Sequence, residues 1–159
     1  MFIFFGGSDL TNETGKALDA ISMLTPSTMT FDVVVGEANP HKELLIARCA
    51  TLPTVNLYWQ VSHMGELMAS ADLSLGAGGA TTWERCATGL PTLVVSVADN
   101  QIAIAKGVDR VNGHRYLGAS HDVSATLLAT AITETREDPA ALRVMSKAAL
   151  SLVDAYGTA

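Results

Sequence analysis

A glycine-rich turn between an apolar run and a helical segment is the feature that most constrains this fold. Residues 72–86 read DLSLGAGGATTWERC, so a short apolar run ends in three closely spaced glycines. Glycine lets the backbone adopt positive φ and lets a ligand approach without meeting a Cβ atom. Thr81 and Thr82 are suited to capping the helix that follows. The segment predicts a strand, a turn and a helix start whose backbone N–H groups form an anion-binding concavity.

The turn lacks the full pattern of two common nucleotide-binding motifs. No lysine follows the glycines, which excludes the P-loop pattern G-x-x-x-x-G-K-[ST]. The dinucleotide pattern G-x-G-x-x-G is met only at Gly76 and Gly78, because Thr81 stands at its third position. Glu84 follows by about one helical turn, where a carboxylate can accept hydrogen bonds from a ribose diol or complement the helix dipole. These residues leave both interpretations of Glu84 open.

Composition restricts the partners that the chain can bind. At 159 residues and 48% hydrophobic, the sequence can bury one sizeable core, and a single domain over residues 1–159 is expected. The net charge of −6, with ten Lys and Arg dispersed along the chain, argues against nucleic acid as a partner. No signal peptide or membrane span is visible, so we expect a cytoplasmic protein without membrane insertion. The histidines and cysteines lack metal-ligand spacing, and neither metal nor cofactor is predicted.

Apolar runs alternate with helical segments along the whole chain. Runs typical of strands lie at 2–5, 31–36, 54–59, 73–75, 92–97 and, more weakly, 114–117. The last part predicts two helices, over 121–136 and 139–155. This alternation predicts an α/β fold, a Rossmann-like parallel sheet with helices on both faces. Ligands bind such sheets beyond the carboxyl ends of the strands, and the loops 6–9, 76–82 and 98–101 lie at such positions.

Five motifs, in order, resemble one known family. They read FGGSD at 5–9, VVVGEANPH at 33–41, MGELMASAD at 64–72, GAGGATTWERC at 76–86 and ADNQ at 98–101. Together they resemble the UDP-sugar hydrolase of pseudaminic acid biosynthesis and its relatives in spore-coat polysaccharide synthesis. More distantly, they are similar to the N-acetylglucosaminyltransferase that makes lipid II. The resemblance implies the C-terminal half of a GT-B type protein, with the N-terminal catalytic domain absent from this chain.

The resemblance also implies a UDP-sugar site. The diphosphate is expected at Gly7, Ser8, Gly78, Gly79, Ala80 and Thr81, the ribose at Glu84, and the sugar at Asn100 and Gln101. Two positions depart from the family pattern, because Leu10 replaces the usual proline and Ala80 replaces the usual Ser or Thr. No catalytic residue is expected within the chain, since the resemblance puts the catalytic histidine in the missing domain. None of the chain's own histidines follows a strand in the three loops, so they are not expected to replace it.

Three functions fit these residues. The first is the UDP-binding half of a hydrolase that releases UDP from a UDP-linked diacetamido-trideoxy sugar, and such a half is expected to be inactive alone. The second is the donor-binding half of a glycosyltransferase, and the third is a nucleotide-sugar-binding module without chemistry. In each case the ligand is UDP or a UDP-sugar. Self-association is expected if the missing domain normally covers an apolar face.

Two large side chains beside the turn are predicted to have structural roles. Trp83 is expected to pack in the core beneath the turn rather than to stack on a base. Arg85 is expected to be a surface partner of a nearby acid rather than a clamp on phosphate.

Overall fold

The computed structural model describes residues 1–25 and 28–153, which contain one parallel sheet. Its strands are β1 (Phe2–Phe4), β2 (Phe31–Val35), β3 (Val55–Trp59), β4 (Ser74–Ala77), β5 (Thr92–Ser96) and β6 (Arg115–Ala119). They pair in the order β3-β2-β1-β4-β5-β6, and every pair is parallel. The order reverses where β1 pairs with β4, with Phe4 opposite Gly76. This doubly wound arrangement confirms the predicted Rossmann-like fold.

Helices connect the strands and cover both faces of the sheet. Their bounds are α1 (Glu13–Met23), α2 (Lys42–Cys49), α3 (Met64–Ala69), α4 (Thr81–Ala87), α5 (Asp99–Arg110), α6 (Ala125–Arg136) and α7 (Pro139–Leu150). Helix α6 begins later than predicted, because the Ser124 side chain caps it by accepting a hydrogen bond from the Leu127 N–H. Residues 154 and 155 of the last predicted helix lie outside the described residues. Within the described ranges, no helix has the length and apolar character needed to span a membrane.

Two apolar clusters attach the helices to the sheet. One face contributes alternate strand residues to the larger cluster, with side chains of α1 and α6 packed on them: Ile3, Leu18, Val33, Leu75, Leu93, Leu128 and Ile132. The other face carries the smaller cluster of Phe2, Val34, Leu67, Met68 and Leu90. All five residues of β5 are buried, as predicted from its continuous apolar run. The central strands are therefore fixed on both faces, which holds their carboxyl ends in a defined position.

A buried histidine joins β6 to α5. His114 is 3% exposed, and its Nε2 lies 2.8 Å from the carbonyl oxygen of Ala105. Burial lowers the pKa of His114 below its ordinary value, and the charge of Arg85 acts in the same direction. The imidazole is therefore neutral in the folded protein at neutral pH and donates its Nε2 proton to the Ala105 carbonyl.

Acidification is expected to destabilise the fold through His114. The unfolded chain binds a proton near the ordinary histidine pKa of about 6.5, whereas the folded chain binds it only at lower pH. The free energy of unfolding therefore falls below about pH 6.5, by at most about 1.4 kcal/mol per pH unit for this group. In His114→Gln this contribution disappears, and denaturant unfolding at several pH values measures the difference. The control is His121→Gln, which removes an exposed histidine and leaves the contribution of His114 in place. Equal slopes in His114→Gln and wild type would contradict the assignment.

Candidate functional site

Three loops meet beyond the carboxyl ends of the neighbouring strands β1, β4 and β5. Gln101, on the first turn of α5, lines a cavity of about 270 Å³ together with Ser8 of the loop after β1. Its Nε2 lies 3.4 Å from the position that a Cβ atom on Gly79 would occupy. Its Oε1 accepts a hydrogen bond from the Val97 N–H at 3.0 Å, which fixes the side chain. The structure thus brings Ser8, Gly79 and Gln101 of the predicted site together.

The turn after β4 leaves backbone donors unused. The Gly78 N–H donates to the Val95 carbonyl at 3.2 Å, and the next bond in the turn runs from the Thr82 N–H to the Gly79 carbonyl at 3.0 Å. The N–H groups of Gly79, Ala80 and Thr81 have no acceptor within the described ranges, and no side chain caps α4. Gly79 and Thr81 are half-buried and Ala80 is exposed, so this part of the turn is open to solvent.

A buried arginine lies beneath this turn. Arg85 is 1% exposed, and its Nη2 donates to the Ala77 carbonyl at 2.6 Å and to Thr82 Oγ1 at 3.3 Å, while its Nη1 donates to Thr81 Oγ1 at 3.3 Å. Burial lowers the pKa of Arg85 to about 10, so the guanidinium stays charged at neutral pH. The predicted surface position of Arg85 is wrong. Gly76 provides the space, because a Cβ atom there would lie 2.5 Å from Arg85 Nη1.

The two residues before Arg85 are exposed. On α4 the buried positions are Thr82, Arg85 and Cys86, a spacing of three and four that turns one helix face inward. Trp83 lies off that face and is 43% exposed, so the prediction that it packs in the core is wrong. Glu84 is also exposed and follows Thr81 by one helical turn, and its role toward a ribose stays a prediction.

A buried aspartate holds the loop after β1 and was not found from the sequence. Asp9 is 5% exposed, and its two carboxylate oxygens accept hydrogen bonds from the backbone N–H groups of Glu13 at 2.8 Å and Thr14 at 2.9 Å. Burial raises the pKa of Asp9, while the bonds from Thr14 and Glu13 oppose that rise. These two N–H groups of α1 are thus already hydrogen-bonded within the protein and are not available to a ligand. Gly7 and Ser8, both exposed, are what this loop offers to a ligand.

A second buried acid ties α1 to the loop after β6. Glu13 is fully buried, and Lys16 Nζ lies 3.0 Å and 2.9 Å from its two carboxylate oxygens. The Ser120 hydroxyl also donates to Glu13, and Lys16 donates to the Ser120 carbonyl at 2.8 Å. A glutamate in a first helical turn is ordinarily exposed and complements the helix dipole, so the sequence carried no signal for this contact.

The remaining predicted residues are peripheral to these contacts. Asn100 is exposed on the first turn of α5, and no contact tests its role toward a sugar. His121 lines a cavity of about 190 Å³ between the ends of β5 and β6. A wider cavity of about 580 Å³ lies at the amino ends of the strands, beside Met1 and Leu73, away from the three loops. Across residues 1–25 and 28–153, no group of three or more His, Cys, Asp or Glu is arranged to hold a metal ion.

Comparison with known proteins identifies the family of this domain. The pattern of the glycosyltransferase family 28 C-terminal domain matches residues 2–156. The spore coat polysaccharide biosynthesis protein SpsG of Bacillus subtilis (strain 168) is 33% identical over 109 residues, which cover 67% of this chain and 32% of SpsG.

Solved structures share the fold, and two of them illustrate the likeness. MurG of Acinetobacter baumannii superposes with a TM-score of 0.79 at 18% identity, over 94% of this chain and 44% of MurG. Anabaena HepE, solved in complex with UDP-glucose, superposes with a TM-score of 0.74 at 18% identity, over 95% of this chain and 43% of HepE. This chain therefore spans less than half the length of these relatives. The six-stranded parallel sheet is that of GT-B C-terminal domains, and the chain belongs to the glycosyltransferase family 28 C-terminal domain family.

Proposed function

We propose that this chain is the UDP-sugar-binding domain of an enzyme of surface polysaccharide or nonulosonic acid biosynthesis. The observation that carries the proposal is the convergence of three loops where the strand order reverses, with the N–H groups of Gly79, Ala80 and Thr81 unused. Ligands of doubly wound sheets bind at such a position, and unpaired N–H groups suit phosphate oxygens. The name of SpsG supports a role in polysaccharide biosynthesis, and the UDP-glucose bound to HepE supports the ligand class.

The proposed site divides the ligand among the three loops. Gly7, Ser8 and the segment 78–81 hold the diphosphate, through backbone N–H groups and two hydroxyls. Glu84 accepts hydrogen bonds from the ribose diol. Asn100 and Gln101 lie toward the sugar, and Gln101 is the better placed of the two because its amide is fixed beside Gly79. Local donors of this kind suit a protein with net charge −6, since the surface as a whole does not attract anions.

In the complete protein we infer that the reaction is hydrolysis of a UDP-linked diacetamido-trideoxy sugar. A histidine of a further, N-terminal domain acts as general base on water, the bond from the anomeric carbon to the diphosphate breaks, and UDP leaves. The residues of this chain bind the nucleotide and do not act on the reacting atoms. A face that the second domain covers would explain the 75% exposure of Leu10, and self-association through that face stays a prediction.

The alternative is a glycosyltransferase, in which an acceptor hydroxyl replaces water on the same bound donor. Membership of the glycosyltransferase family 28 C-terminal domain favours this candidate as much as the first. Product analysis of a chain that includes the catalytic domain separates them, because hydrolysis yields the free sugar whereas transfer yields a glycoside. A non-catalytic binding module is the third candidate, and it predicts a coding sequence that begins near Met1.

Removing the Glu84 carboxylate is expected to weaken UDP binding at least tenfold, about 1.4 kcal/mol. The ribose would lose a charged acceptor for its two hydroxyls, while the turn after β4 would remain intact because Glu84 is exposed. Calorimetric titration of wild type and Glu84→Ala with UDP measures the change. CMP, titrated separately, tests the preference for the base and the diphosphate together.

Glu43→Ala is the matched control for this experiment. Glu43 is also an exposed acid in a first helical turn, that of α2, so its removal changes net charge in the same way. We expect Glu43→Ala to bind UDP as wild type does. A folded wild-type protein that binds neither UDP nor CMP at millimolar concentration would refute the proposal for this chain. An unchanged affinity in Glu84→Ala would remove only the ribose assignment.

A further inference from the structure

Arg85 carries a buried positive charge that forms no ion pair among the described residues. Its guanidinium is buried, and its three acceptors are the Ala77 carbonyl and the hydroxyls of Thr81 and Thr82, all of them neutral. Every ion pair among the described residues involves other side chains. A buried charge is costly unless an opposite charge compensates it. The charge of the exposed Glu84 favours the charged guanidinium without pairing with it, so an anion bound in the turn would add a further counter-charge.

The bond from Arg85 decides which way the Thr81 hydroxyl donates. A guanidinium only donates, so Thr81 Oγ1 accepts from Arg85 Nη1 and its single proton is left for another acceptor. Within the described ranges no acceptor takes that proton. Thr81 is half-buried whereas Thr82 is 1% exposed, so Thr81 presents the hydroxyl that a ligand reaches. The adjacent unused N–H groups of Gly79 and Ala80 make this point of the turn rich in donors.

We propose that Arg85 is a positioning residue for the diphosphate: it turns the Thr81 hydroxyl into a donor toward the anion and supplies the buried positive charge beneath the turn. The inference rests on the proposed function for the identity of the nucleotide, but its chemistry concerns any diphosphate in the turn. Gly76 is also required for this arrangement, because a side chain at that position would displace the guanidinium. The cation is thus placed under the turn by one glycine of β4 and one helical position of α4.

The test compares ligands with and without phosphate on four proteins. Wild type, Arg85→Met, Arg85→Lys and Arg115→Met are titrated with UDP, with inorganic pyrophosphate and with uridine, after circular dichroism has shown that each is folded. Arg85→Met is expected to lose at least about tenfold in affinity for UDP and pyrophosphate and to bind uridine within about twofold of wild type. Arg85→Lys keeps the charge and is expected to recover part of the loss. Arg115→Met, which breaks an exposed pair with Glu134, is expected to match wild type.

The outcomes separate this inference from the proposed function. If Arg85→Met binds UDP and pyrophosphate with wild-type affinity, the inference is overturned and the proposed function remains in place. An equal loss for UDP and uridine also overturns it, because a general structural role would weaken both. If pyrophosphate binding depends on Arg85 but wild type does not prefer UDP over CMP in the separate titration that tests Glu84, the inference is supported and UDP is disfavoured as the nucleotide. Wild type that binds neither UDP nor pyrophosphate overturns both.

A second variant keeps the test decisive if Arg85→Met does not fold. Thr81→Val removes the hydroxyl that Arg85 orients and leaves the guanidinium its bonds to Ala77 and Thr82. It is expected to weaken UDP and pyrophosphate selectively, by about threefold to tenfold, the effect of losing one hydrogen bond to a charged group. Wild-type affinity for both ligands in Thr81→Val and in Arg85→Lys would overturn the inference.

Discussion

Glu13→Ala is expected to lower the free energy of unfolding by about 2–4 kcal/mol, less than the roughly 3–5 kcal/mol for a fully buried pair because Lys16 is partly exposed. The change would leave Lys16 without its carboxylate and the Ser120 hydroxyl without its acceptor. Both groups lie where α1 meets the loop after β6, and the Glu13 side chain is fully buried. The cost therefore combines an uncompensated charge with a lost contact between distant parts of the chain.

Denaturant unfolding of three variants tests this expectation. Glu43→Ala, in the first turn of α2 and exposed, is expected to change stability by no more than about 0.5 kcal/mol. The double variant Glu13→Met with Lys16→Met removes both charges and fills the space with apolar atoms, so we expect it to be more stable than Glu13→Ala. A loss below about 1 kcal/mol in Glu13→Ala would show that the pair contributes no more than an exposed one.

The fold was predictable because its signal is local and repeated. Most strands are short apolar runs, and the continuous apolar run of β5 is enough to predict burial on both faces. The alternation with helices then admits few topologies, since parallel strands require crossover connections. The predicted helix boundaries were less accurate. The start of α6, for example, depends on a single serine hydroxyl.

The candidate site was only half predictable, and the missing half consists of buried charges. The glycines of the turn after β4 were visible, because a glycine cluster between a strand and a helix has few other uses. Asp9, Glu13 and Arg85 were not, since charged residues lie on the surface by default and a sequence pattern does not show which neighbours enclose them. The prediction for Trp83 was wrong in the opposite direction. Its size favours burial, but its position on α4 turns the side chain outward.

Gly36→Ala is expected to displace the loop after β1 and to destabilise the protein by about 1–3 kcal/mol, the cost of overpacking a rigid site. Gly36 follows β2, and a Cβ atom there would lie 2.3 Å from the Gly7 carbonyl oxygen and 2.4 Å from the Gly7 Cα. These atoms are backbone and are unable to rotate away as a side chain would. Gly7 and Ser8 must therefore move, and UDP affinity is expected to fall together with stability.

Gly107→Ala supplies the matched control, because the same methyl group is added where it meets nothing within 4 Å. Gly107 lies inside α5, and alanine there is expected to raise stability by about 0.5–1 kcal/mol through helix propensity. Thermal or denaturant unfolding of both variants, followed by UDP titration, compares the two glycines directly. If Gly36→Ala unfolds and binds as wild type does, then the contact between the ends of β1 and β2 is not what positions Gly7 and Ser8. If only its UDP affinity falls, the loop adjusts without loss of stability, and the contact sets the geometry of the site alone.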